Sequence, residues 1–126
     1  MKEIQVAAAL IRKDNRTLIA KRKAGEPNGS LWELPGGKIE AGETAEECLR
    51  RELNEEFEID ASVGKLFVET RYQHPDFLLN LKVYHVDSYS GELKLNAHEE
   101  IQWAERLDAY EFCPADIAVI ERLTGE

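Results

Sequence analysis

Glu52, Glu55 and Glu56 stand at i, i+3 and i+4 in a stretch, residues 45 to 57, that reads as a helix. On a wheel of about 100° per residue, Ala45, Cys48, Leu49, Leu53 and Phe57 share one broad side. Glu47, Arg50, Arg51 and Asn54 lie mostly opposite. Glu52 and Glu56 fall among the apolar residues, and Glu55 sits at the edge of that side. Like charges on adjacent turns repel, and a carboxylate that loses water without gaining a partner is strongly disfavoured. An ion-pair network is one remedy, with Arg51 reaching Glu55 at i+4, but it covers one charge. A hard divalent cation covers all three, because Mg²⁺ prefers carboxylate oxygens and retained waters. The spacing therefore points to metal binding.

Upstream, Gly36-Gly37 offers a backbone that a ligand can approach closely. Glu43 precedes the helix, and Thr44 with Glu47 has the spacing of a capping box that fixes its start. A polyphosphate would meet a metal, a glycine loop and a helix N-terminus together.

The elements that must position these groups can be read from pattern. Residues 4 to 11 predict a buried strand, residues 13 to 16 a turn, and Thr17 to Arg22 the returning strand of a hairpin. Residues 24 to 30 read as a loop, and Leu31 to Leu34 as a short strand ended by Pro35-Gly36-Gly37. Two strands, 65 to 72 and 77 to 87, flank the turn His74-Pro75-Asp76, and Ser88 to Gly91 make another turn. A strand at about 100 to 105 precedes a last helix from Pro114 through about Leu123, with Ile117, Ile120 and Leu123 as its apolar stripe. Strands with two helices in this order suggest a mixed sheet packed between helices.

The bulk numbers narrow the role. The 126 residues are the length of one domain, expected to span 1–126, and 43% apolar content is enough for a core. A formal charge of −9 argues against a nucleic acid polymer as partner and requires a local cationic site or a metal for any small polyanion. No stretch approaches the roughly 20 apolar residues that span a bilayer, so no membrane association is expected. The opening Lys2-Glu3-Ile4-Gln5-Val6 lacks the charged, apolar and cleavage regions of a signal peptide. Cys48 and Cys113 make neither a disulfide framework nor a four-ligand zinc site, and both read as small semi-buried residues in a reducing cytoplasm.

From Gly37 to Ile59 the chain reads GKIEAGETAEECLRRELNEEFEI, which resembles the Nudix box. Gly37, Glu43, Arg51, Glu52, Leu53, Glu55, Glu56 and Ile59 match, while Glu58 stands where the box has glycine. That glycine allows a left-handed helix exit, where a glutamate would cost about 1 kcal/mol. The run-in Leu31-Trp32-Glu33-Leu34-Pro35-Gly36-Gly37-Lys38 and the ending Pro114-Ala115-Asp116-Ile117 extend the likeness to the MutT and CTP-pyrophosphohydrolase branch.

The resemblance implies an α/β/α sandwich of Nudix type with a mixed sheet between helices. It also implies attack of water on a phosphorus, with Mg²⁺ as cofactor and Mn²⁺ able to substitute. By motif position, Glu52, Glu55, Glu56 and the carbonyl of Gly37 are the expected metal ligands, with Glu52 as first choice of general base. Arg51 is expected to orient a carboxylate. Glu99, in His98-Glu99-Glu100, is the expected further ligand, against a solvated acidic loop. Arg22 and Lys38 are candidate substrate contacts, and Asp116 is either a base-edge hydrogen-bond acceptor or an ordinary first-turn acid. His74, His85 and His98 lack metal-ligand spacing and read as structural or surface residues.

The expected reaction is NTP + H₂O giving NMP and pyrophosphate, on a small nucleotide such as 8-oxo-dGTP, CTP or dCTP, by a monomer or homodimer. ADP-ribose is the alternative substrate, since that branch often carries a proline after the box and Pro75 lies 16 residues after Ile59. A nucleotide-sensing module without turnover is the alternative of another class; the complete set of box carboxylates speaks against it.

Overall fold

The computed structural model describes residues 1–125. Eight strands and two helices follow the order β1 (Lys2–Leu10), β2 (Arg12–Lys13), β3 (Arg16–Lys21), β4 (Trp32–Glu33), β5 (Gly36–Lys38), α1 (Ala45–Phe57), β6 (Asp60–Gln73), β7 (Phe77–Ser90), β8 (Glu100–Ala104) and α2 (Pro114–Thr124). The strands divide into two sheets. One is mixed, in the order β5-β1-β7-β6, with β1 parallel to β7 and the other pairs antiparallel. The other is antiparallel, with β3 pairing β2, β4 and β8.

Alternation along β1 explains the layering. Ala7 and Ala9, with Leu18 and Ala20 of β3, pack against Cys48, Leu49, Leu53 and Phe57 of α1. Ala8 and Leu10, with Ile19, pack in a second cluster that holds Val119 and Ile120 of α2. Successive strand residues point to opposite faces, so one strand serves two cores and the helices lie on opposite sides of it. The expected sandwich with a mixed sheet between helices is what is found.

The hairpin between β2 and β3 turns on Asp14 and Asn15, both at positive φ (52° and 65°), as a twist-matched tight turn requires. Four expectations need correction. Gly36–Lys38 does not merely end a strand; it is itself a strand, paired antiparallel with β1 at Val6, Ala7 and Ala8. Gly36 has φ +155°, and a β-carbon there would run into the carbonyl of Ala7, so backbone proximity rather than side-chain propensity makes this strand. Both β6 and β7 are longer than predicted, and Ser88–Ser90 belongs to β7 rather than to a turn, because register shifts between Ser62 and Val68 interrupt the alternation. In α2 the inward residues are Asp116, Val119 and Ile120, whereas Ile117 is 45% exposed.

Candidate active site

The capping box forms as the sequence predicts. Thr44 Oγ1 accepts from the Glu47 amide at 3.1 Å, and Glu47 Oε1 accepts from the Thr44 amide at 2.8 Å. Burial of Ala45, Cys48, Leu49, Leu53 and Phe57 then fixes the rotation of α1. The same rotation turns Glu52 inward, with a side chain 16% exposed, and leaves Glu55 out at 55%. Glu58 ends the helix in the left-handed conformation (φ 58°, ψ 38°), its amide bonded to the Asn54 carbonyl and the next amide, of Ile59, to that of Leu53. The missing box glycine is thus tolerated with the geometry a glycine would adopt.

Arg51 gathers the outer carboxylates. Its Nε and Nη2 donate to Glu43 at 2.6 and 2.9 Å, and Nη1 donates to Glu52 at 2.8 Å and Glu55 at 3.1 Å. Nη2 also reaches the Lys38 carbonyl at 3.2 Å. The guanidinium, with help from the Glu40 amide, holds the Glu43 carboxyl down to about 2. So the ion-pair network covers more than the single charge expected of it, with Arg51 in contact with Glu43, Glu52 and Glu55 at once.

Glu56 is outside that network. Its Oε1 is buried and has no partner among the described residues. Burial first, then the neighbouring charges of Glu52 and Glu33 and hydrogen bonding to Glu52, push its carboxyl up to about 8. Removing one partner from a buried charge costs about 3–5 kcal/mol, so a lone ionised carboxylate here calls for a counter-charge. Across from it, the Glu52 carboxyl lies against Gly37, where a β-carbon would collide with it. Two inward carboxylates beside a bare glycine backbone form a hard-oxygen donor set that fits a divalent cation. Glu52 and Glu56 are the side chains that could hold it, while the Gly37 carbonyl accepts from the Cys48 thiol at 3.6 Å.

These groups line a cleft of about 780 Å³, within the range of about 300–1,000 Å³ usual for small-molecule sites. Its walls include Ile4, Val6, Leu79 and Leu81, and its polar lining includes Arg22, Glu33, Lys38, His98 and Asp116. Of the residues singled out from sequence, the cleft brings together Gly37, Glu52, Glu56, Arg22, Lys38 and Asp116. Glu55 stays outside, paired to Arg51. Glu99 also stays outside, its carboxylate 3.6 Å from Lys21 Nζ, because the chain at that point turns His98 inward instead.

Glu33, His98 and Cys113 escape a reading by motif. Glu33 accepts from Arg22 Nη1 at 3.3 Å and meets His98 Nε2 at 2.8 Å. Ligand atoms of Glu33, Cys113 and Asp116 lie within 4.8 Å of one another. Asp116 is 7% exposed, and burial together with the Glu33 charge raises its carboxyl well above the usual carboxylate range. It is therefore no ordinary first-turn acid in solvent. Burial also pushes the Cys113 thiol up to about 12 and the Cys48 thiol up to about 11. The signal for Glu33 was present: a charged residue between Trp32 and Leu34, which are both buried. His98 was masked by the acidic pair that follows it.

The chain matches the NUDIX domain family over residues 1–124. It is 36% identical to a CTP pyrophosphohydrolase of Escherichia coli (strain K12), an alignment that covers 96% of this chain and 91% of that one. It is 37% identical to an 8-oxo-dGTP diphosphatase of Haemophilus influenzae, covering 99% and 94%. The solution structure of the E. coli ORF135 protein superposes with a TM-score of 0.88 at 35% identity, covering 99% of this chain and 91% of that one.

Proposed function

The chain belongs to the NUDIX family, and from that premise we propose that it is a MutT-like nucleotide pyrophosphohydrolase whose preferred cation is Mg²⁺. It is a hydrolase acting on phosphoanhydride bonds, with a divalent metal as cofactor. The finer reading is that it converts a nucleoside triphosphate to the monophosphate and pyrophosphate, with a cytidine nucleotide or 8-oxo-dGTP as substrate. The whole chain acts as a single catalytic domain. Its two buried free thiols suit a reducing cytoplasm, and among the described residues no helix is long and apolar enough to cross a membrane.

The observation that carries this reading is Glu56, buried and without a partner at Oε1 among the described residues, on the same inward face as Glu52, whose carboxyl lies against Gly37. A bound divalent cation would supply charge neutralisation at the phosphate oxygens and a lowered pKa for coordinated water. The chain's own residues do the rest. Arg51 fixes Glu52 through Oε1, and we assign Glu52 to accept the proton of the attacking water. Arg22 and Lys38 put positive charge into the cleft lining for the phosphates. Leu79 and Leu81 offer apolar surface to a base, while Glu33 and Asp116 offer polar contacts at its edge.

The test is turnover of CTP, dCTP, 8-oxo-dGTP, dGTP and ADP-ribose with and without Mg²⁺, scored by pyrophosphate release for the triphosphates and by AMP release for ADP-ribose. Glu56→Gln should reduce turnover by about 100-fold or more while the far-UV circular dichroism is unchanged. Full activity in that variant, or equal rates in chelator, would refute the proposal.

A further inference from the structure

We propose that His98 is a positioning residue for base discrimination: it holds the Glu33 carboxylate in one orientation inside the cleft. This rests on the nucleotide reading above and adds to it a residue outside the box.

His98 precedes β8, and the next amide, that of Glu99, bonds the Lys21 carbonyl at 2.9 Å, so the loop is anchored to β3. The imidazole is 4% exposed and stacks on Phe57, with centroids 5.3 Å apart and planes 6° from parallel. Phe57 closes α1 and is fully buried, so the ring plane is fixed by the core. In that plane Nε2 lies 2.8 Å from Glu33 Oε2, while Nδ1 is buried without a partner among the described residues. A neutral imidazole with its proton on Nε2 donates to the carboxylate and leaves Nδ1 as a bare acceptor; the opposite tautomer would set two acceptors face to face. Arg22 Nη1 donates to Glu33 Oε1 at 3.3 Å, and Arg22 Nε is itself tied to the Pro27 carbonyl at 2.8 Å. Glu33 is thus gripped through both oxygens.

A leucine would pack on Phe57 without burying an unsatisfied nitrogen, so the polar ring is a poor choice for the core alone. What it adds is control of Glu33. That carboxylate is near enough to raise both Glu56 and Asp116, and an unpinned Glu33 could turn toward either. Held by His98, it presents a fixed acceptor beside Asp116 in the polar part of the cleft. Glu52, beside Gly37, is held separately by Arg51 Nη1 at 2.8 Å.

Steady-state kinetics on CTP, UTP, GTP and 8-oxo-dGTP at saturating Mg²⁺ test the proposal in the full chain. His98→Leu should raise KM for the best substrate about tenfold and compress the kcat/KM ratios among the four nucleotides, with kcat within about threefold of wild type. His98→Gln, whose amide can donate from near the Nε2 position, should recover most of the discrimination. His98→Leu combined with Glu33→Gln should be no worse than Glu33→Gln alone. If His98→Leu does not fold, His98→Asn, polar but too short to reach Glu33, takes its place with the same expectation. An equal loss on all four nucleotides, or additive losses in the double variant, would overturn the assignment. Failure of the wild-type chain to hydrolyse any of the four would instead overturn the functional reading on which it rests.

Discussion

The carboxyl of Glu52 occupies the space that a β-carbon on Gly37 would fill. The glycine there serves the approach of one side chain to one backbone segment. Gly37→Ala should therefore displace Glu52 without disturbing α1, whose rotation is set by its buried face. The expected result is a loss of turnover of about 100-fold with weakened Mg²⁺ binding in calorimetry and a nearly unchanged melting temperature.

Arg51 spans Glu43, Glu52 and Glu55 with a planar fork of donors. A lysine offers a single point charge and cannot reproduce the paired contact to Glu43. Arg51→Lys should lower kcat about tenfold or more, with a smaller change in KM, because its effect reaches the reaction through Glu52. Kinetics with a fixed nucleotide would show the split; a change confined to KM would contradict the orienting role.

Asp116 gives a pH signature. Its carboxyl is raised in the folded state by burial and by Glu33. Between the unfolded and folded pKa values the native state holds more protons than the unfolded chain, so this group makes stability fall as pH rises through that interval. Asp116→Asn removes the term while keeping an acceptor. The variant should be more stable than wild type at neutral and alkaline pH, with the difference shrinking as pH falls toward the ordinary carboxylate range. Thermal melts of both proteins across pH would show it; a constant difference would not fit.

Glu58 occupies a left-handed position at φ 58°. Glu58→Gly relieves that strain at the loss of one exposed hydrogen bond, from Asn96 Nδ2 at 2.9 Å. The variant should gain up to about 1 kcal/mol in urea denaturation with activity unchanged. A clear loss of stability would mean that the contact to Asn96 outweighs the backbone term.

What could be read without coordinates was local. The bounds of α1 follow from Thr44, Glu47 and the apolar spacing, and the inward turn of Glu52 and Glu56 follows from the same wheel. The strand at Gly36–Lys38 could not be read, because two glycines carry no strand preference and their order comes from Ala7 and Ala8, distant in sequence. The grip of His98 and Arg22 on Glu33 joins three separate segments, and no spacing rule connects them. Asp116 and Ile117 are adjacent, and only the seat of α2 on the second core decides which of them turns inward. Glu99, expected as a further ligand from the loop before β8, pairs with Lys21, while its neighbour His98 takes the inward place.

The parallel ladder that joins residues 2–10 to residues 77–85 also governs when the protein can become an enzyme. As the chain leaves the ribosome, the glycine strand and the carboxylate helix emerge well before β7, the central neighbour of β1. Long-range pairing of this kind is slow to close and unrewarded until both ends are available. Nascent chains stopped before residue 85 therefore lack the partner that completes β1, and catalytic competence arrives late in synthesis.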